Sequence, residues 1–195
     1  AEGCTEGGFE TWILAQNPGD EEVEVKLTFM TGGGEVDGPT AILPAHSRRT
    51  FNAGDYVSDY DLSTLVTSSG GVVCERSVYW GNRSGMHSSG GSPTLSDIWY
   101  LAEGCTKGGF ETWILVMNPN DQPAGVFIDY MTAEGPVPGP EVTLPPNSRI
   151  SINAAEYISS YDVSTRIEAS LPVLAERSMY WNKRGGGHNS CGFCP

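Results

Sequence analysis

The sequence predicts an all-β protein of two tandem immunoglobulin-like β-sandwich domains, and three observations carry that expectation. The chain repeats itself, its apolar residues alternate with a period of two, and turn-forming residues divide the alternating runs. AEGCTEGGFETWIL at Ala1 to Leu14 returns as AEGCTKGGFETWIL at Ala102 to Leu115. An offset of about 100 residues keeps the halves in register without a gap, and roughly half of the aligned positions are identical. The shared positions run the length of the unit: Asn17-Pro18 with Asn118-Pro119, Tyr60-Asp61 with Tyr161-Asp162, and His87 with His188. The expected domains are residues 1–95 and 96–195.

Taken in order, the first strand of a unit spans Glu10 to Gln16. In the second, Val25, Leu27 and Phe29 alternate with Glu24, Lys26 and Thr28. The polar member varies freely between copies (Lys26 aligns with Phe127), whereas the apolar member does not, so Val25, Leu27 and Phe29 are assigned to the core. Further runs at Pro39 to Leu43, Arg48 to Asn52, Thr64 to Ser69 and Val72 to Trp80 follow turns such as Asn-Pro-Gly-Asp and Ser-Gly-Gly. About seven short strands per 100 residues is the density of a sandwich. Asp55 to Leu62 is allowed one turn of helix at most. The second unit is preceded by an alternating stretch, Ser96 to Leu101, and the first begins directly at Ala1. By analogy the first unit lacks one strand, which leaves an edge that another chain can complete.

The 195 residues carry a net charge of −13, 38% hydrophobic and 10% aromatic residues. That balance opposes nucleic-acid binding, which relies on cationic side chains neutralising phosphates. Aromatic content argues against disorder, and no apolar run reaches the roughly 20 residues of a membrane-inserted helix. Ala1-Glu2-Gly3-Cys4 does not read as a signal peptide, so an exported protein would here be in mature or trimmed form.

WYLAEGCTKGGFETWILVMNPN, with the downstream ERSMYW and GGGHNS, resembles a repeat of large secreted and surface-attached bacterial proteins. Units of that kind run WYFAEG, GF-x-x-W/Y-L, NP, ER-x-Y and GGH. The resemblance covers both units and implies an extracellular all-β module, usually in tandem, with no enzymatic activity as a class. It supplies no catalytic residue. Cys191 and Cys194 depart from the first unit, which has Gly90 and Pro93 there.

Five cysteines favour an oxidising compartment, and their odd number leaves at least one free or bonded to another molecule. Cys4 and Cys105 are equivalent. Cys74 aligns with Ala175 and reads either as a buried free thiol or as a partner of Cys4. With Cys74 free, the expectation is that Cys105 bonds to a tail cysteine, Cys191 or Cys194, and Cys4 to the tail of a neighbouring subunit. The spacing Cys191-Gly-Phe-Cys194 suits zinc or redox chemistry, but no second pair accompanies it. Acidic Asp55, Asp59 and Asp61 read as a solvated face rather than a calcium loop. Trp12, Trp80, Trp113 and Trp181 read as packing, with sugar stacking as the alternative. Glu75-Arg76 and Glu176-Arg177 read as structural charge pairs. Asn82-Arg83-Ser84 has the form of a glycosylation sequon, with Asn82 as acceptor.

No catalytic constellation, metal site or cofactor motif emerges, so the chain is not expected to be an enzyme. The expected function is an extracellular, cell-surface structural protein that polymerises head to tail into a filament or fibre. One end of the polymer interface is assigned to Ala1, Glu2, Gly3 and Cys4. The other end is assigned to Cys191, Gly192, Phe193, Cys194 and Pro195. The alternative is an adhesive module of a larger secreted protein that binds cell-surface glycans.

Overall fold

The computed structural model describes residues 1–195. The first unit contains β1 (Glu10–Asn17), β2 (Val23–Thr31), β3 (Gly34–Leu43), β4 (Ser47–Asn52), β5 (Ser63–Ser68), β6 (Val73–Trp80) and β7 (Gly85–Gly90). They form a four-stranded layer in the order β4-β1-β6-β7 and a three-stranded layer in the order β3-β2-β5, antiparallel throughout. This is the expected sandwich, with its strands dealt between the layers in an order of its own. One 3₁₀ turn at Ala53–Asp55, capped by the Asn52 side chain accepting from the Gly54 N–H, is the only helical element of the unit.

Alternation explains the core. Val25, Leu27 and Phe29 are fully buried, while Glu24 and Lys26 face solvent, and Phe127 is 45% exposed opposite its buried neighbours Val126 and Ile128. A bulge between Lys26 and Thr28 shifts the register of β2 against β3. There Gly38 lies so close to β2 that an added Cβ would sit 2.6 Å from the Leu27 carbonyl oxygen, so no side chain fits. Gly139 occupies the same place in the second unit, 2.8 Å from the Ile128 oxygen.

The second unit contains β8 (Ser96–Leu101), β9 (Glu111–Asn118), β10 (Ala124–Thr132), β11 (Gly135–Leu144), β12 (Ser148–Asn153), β13 (Ser164–Trp181) and β14 (Gly186–Cys191). Here β13 is one 18-residue strand that serves both layers. Its first part pairs with β10 and β8, and its last part with β9 and β14. The equivalent stretch of the first unit breaks into β5 and β6 around Gly70-Gly71, where the second unit has Leu171-Pro172.

The stretch before the second AEGC is therefore a strand, β8, and it is laid along β13. Trp99 of β8 is 1% exposed and donates its indole N–H to the Val173 carbonyl at 2.9 Å. Burying so large a side chain contributes about 2–3 kcal/mol. No strand covers the matching edge of β5. Val66, Val72 and Cys74 are consequently half-buried, where Ile167, Val173 and Ala175 are sealed, and the Thr64 hydroxyl is left without a partner.

Candidate functional site

The most elaborate side-chain chemistry lies where the two units meet. Successive residues of a strand point to opposite faces, so Glu75 and Arg76 cannot pair with each other, nor can Glu176 and Arg177. The expectation of two local charge pairs is corrected accordingly. Glu176, Ser178 and Tyr180 of β13 lie on the outer face of their four-stranded layer, beside Arg149 of β12 and Leu115 of β9. Onto this face the first unit lowers its opening segment, the ends of β6 and β7, and the β2 hairpin end at Met30.

The contacts form one connected cluster. The Ala1 amino group donates to Glu176 Oε1 at 2.6 Å, and Arg76 donates to Glu176 Oε2 at 2.9 Å and to Asn189 Oδ1 at 2.9 Å. Arg76 also reaches Glu2 Oε2 at 3.3 Å. The Tyr180 hydroxyl donates to Glu2 Oε1 at 2.9 Å, and His87 Nε2 stands 3.3 Å from that same oxygen. Arg149 donates to Asp61 and, at 3.0 Å, to the Ala1 carbonyl. Three cationic groups (Ala1, Arg76, Arg149) thus face three carboxylates (Glu2, Asp61, Glu176). Each carboxylate meets at least one group of opposite sign, which is what a buried ionic site requires.

Beside it, Phe9 and Trp80 stack at 5.9 Å and Tyr180 meets Trp80 edge-on at 5.3 Å. The Trp80 indole N–H donates to the Arg184 carbonyl at 2.6 Å across the joint. Ala1 and Met30 are counted within the core of the second unit rather than that of the first.

Burial alone would push the Glu2 carboxyl up. The His87 hydrogen bond and the Arg76 charge outweigh it and hold Glu2 at about 2. Glu176 is likewise held well below the ordinary carboxylate range, because Arg76 and the Ala1 amine overcome its desolvation. Burial lowers the Ala1 amine despite Glu176, and raises the Tyr180 phenol with the help of the Glu2 charge. A crevice of about 130 Å³ remains in the joint, lined in part by Cys4, Tyr60 and Arg184. Ligand pockets span about 300–1,000 Å³, so the chemistry here joins two protein surfaces.

The expected site residues are placed as follows. Ala1, Glu2 and Gly3 are buried against the chain's own second unit, so they do not present a free polymer end. Gly192 packs on Trp99, Phe193 pairs with Tyr100 and leaves its ring 68% exposed, and Cys194 and Pro195 lie beside the second core and in solvent respectively. Asn82 is exposed in the β6–β7 turn with φ 54°, and Asp61 serves the joint rather than a solvated face.

All five cysteines are free, which corrects the expected Cys105–tail bridge. Two thiols turn into their own loops, Cys4 Sγ to the Glu6 carbonyl and Cys105 Sγ to the Lys107 carbonyl, both at 3.4 Å, and Cys191 Sγ reaches the Ala175 carbonyl of β13 at 3.8 Å. Cys74 is half-buried, packed on the first core beneath the uncovered β5 edge. Of the tryptophans, Trp80 belongs to the joint, and the four do not form one exposed row. No group of three or more His, Cys, Asp or Glu side chains stands close enough to hold a metal ion, and no helix is long and apolar enough to cross a membrane.

No family model and no curated protein matches the chain. Among solved structures it is similar to a Thermotoga maritima protein described as 1070, at 17% identity and a TM-score of 0.48 over 52% of this chain and 96% of that one. It is also similar to the Anabaena sensory rhodopsin transducer, at 20% identity and a TM-score of 0.38 over 44% and 83% of the chains. A serine-rich repeat protein of Streptococcus agalactiae aligns at 10% identity and a TM-score of 0.27 over 94% and 84%.

Proposed function

We propose that this chain is an extracellular structural protein whose β-sandwich units stack head to tail into a surface filament or fibre. The carrying observation is the joint. Its two sides are different surfaces of the same kind of unit, the opening segment of one and the outer sheet face of the next. A heterologous contact of this sort does not close unless rotation makes a ring, so repetition yields a linear array. The buried, paired charges also set one relative orientation, since any slippage leaves a carboxylate desolvated and unpaired. A cell-surface location is supported by the resemblance of the repeat to those of secreted bacterial proteins.

The test is negative-stain imaging of purified protein at rising concentration, with a glycan-array assay on the same sample. Fibres of regular width support the reading. Uniform particles that bind glycans overturn it in favour of an adhesive module.

A further inference from the structure

We infer that a second copy of this chain docks through the same joint, placing the opening segment of its second unit on the outer β4-β1-β6 face of the first unit. This inference rests on the head-to-tail reading and names its surfaces. The offset that carries Cys4 onto Cys105 carries each half of the joint onto a surface that is open to solvent at Ala102, Glu103, Asp162, Arg48 and Glu75, while Arg177 is already buried within its own unit.

On the side that lowers onto its neighbour, Glu2, Phe9, Met30, Asp61, Arg76 and Trp80 become Glu103, Phe110, Met131, Asp162, Arg177 and Trp181, with no change of residue type. Glu2 is buried, whereas the Glu103 side chain is 60% exposed although it keeps the same ion pair, to Arg177 at 3.0 Å. Met30 is sealed and Met131 is not. Together with Ala102, Glu103 and Asp162, Met131 lines an open hollow of about 600 Å³. The Trp80 indole has its partner across the joint, whereas no bond engages that of Trp181.

On the receiving side, Arg149, Glu176, Tyr180 and Arg184 become Arg48, Glu75, Tyr79 and Arg83, again unchanged, while Asn189 becomes Ser88. Arg149 is 2% exposed and Glu176 4%, yet Arg48 and Glu75 are open to solvent. The exposed residues are already posed for docking. Arg48 donates to Thr50 at 2.8 Å as Arg149 does to Ser151 at 2.7 Å. Arg83 is clamped by Glu10 and lies over the Tyr79 ring, as Arg184 is clamped by Glu111 and lies over Tyr180. On the other side Trp181 holds Phe110 and His188 as Trp80 holds Phe9 and His87. Such preorganisation cuts the ordering cost of association. In the docked pair Arg48 meets Asp162, and Glu75 receives the Ala102 and Glu103 amides. The occupant is a second copy because only this unit carries the complement of both faces.

The test measures assembly of the full chain by sedimentation velocity and light scattering in wild type, Arg48→Asp, Asp162→Arg and the double variant. All substituted side chains are exposed, and circular dichroism checks that each variant folds. Each single variant is expected to raise the concentration for half-assembly at least about tenfold, and the double variant to restore it. Asp162→Arg brings the net charge of −13 closer to zero. General repulsion therefore predicts easier association for it, and the joint predicts the opposite. Assembly that persists unchanged in both single variants overturns this interface and leaves the filament reading intact. A wild type that stays monomeric at every concentration overturns both.

Discussion

A single glutamate shows how context alone separates two identical residues. Glu75 and Glu176 sit at equivalent positions, yet one is solvated and the other holds Arg76 and the Ala1 amine in a buried cluster. Removing one member of a buried ionic cluster strands its partners, at a cost of about 3–5 kcal/mol, whereas an exposed carboxylate contributes about 0–1 kcal/mol. Denaturant titration of dilute monomer should therefore find Glu176→Ala destabilised by roughly 3 kcal/mol and Glu75→Ala by less than about 0.5 kcal/mol. Equal losses would contradict the buried network. The thiols offer a second check. Burial pushes Cys4 up to about 11 from an ordinary 9.0. At pH 7.5 its thiolate fraction is then roughly a hundredfold smaller than that of a free cysteine, and a chromogenic disulfide reagent should modify it correspondingly slowly.

Strands carry the difference between the two units. β8 converts the edge of β13 into an interior strand and seals Ile167, Val173 and Ala175. Without a counterpart, β5 keeps an open edge and the chain breaks before β6. Hydrogen exchange should report this directly: amides of Ser63–Ser68 should exchange at least about tenfold faster than those of Ser164–Ala169. Similar protection in both would mean that β5 is covered in solution. β8 is legible in the sequence, because Ser96 to Leu101 alternates between polar and apolar residues. The break at Gly70-Gly71 was half legible, since the glycines mark a turn, but the continuity of β13 through Leu171-Pro172 depends on a neighbouring strand. The expected Cys105–tail bridge is absent from the chain for a related reason. Spacing says nothing about which way a thiol turns: Cys4 and Cys105 each reach a carbonyl in their own loop, and Cys191 one on β13.

For the molecule as a whole, the joint makes the relative position of the units sensitive to acid. Glu2 is held at about 2 against an ordinary 4.5, and Glu176 is also lowered. A carboxyl depressed in the assembled state binds its proton more readily once released, so its contribution is complete above about pH 4.5 and is lost as pH falls towards 2. The buried carboxylates of the chain, Glu2 and Glu176, both lie in the joint. On acidification, small-angle scattering should show the two units separating while circular dichroism still reports intact strands. Simultaneous loss of both signals would argue that the joint and the cores are one cooperative unit.

The repeat, the period of two and the turn residues establish two β-sandwiches from the letters alone, because strand alternation and turn chemistry are local properties. Glu2, Asp61, Arg76, Arg149, Glu176 and Tyr180 are visible in the sequence only as repeated residues, and the twins Glu103, Asp162, Arg48 and Glu75 are solvated. Their assembly into one buried cluster was decided by the stacking of one unit on the next. That stacking brings together groups 88 to 178 positions apart, and no local pattern records such a contact.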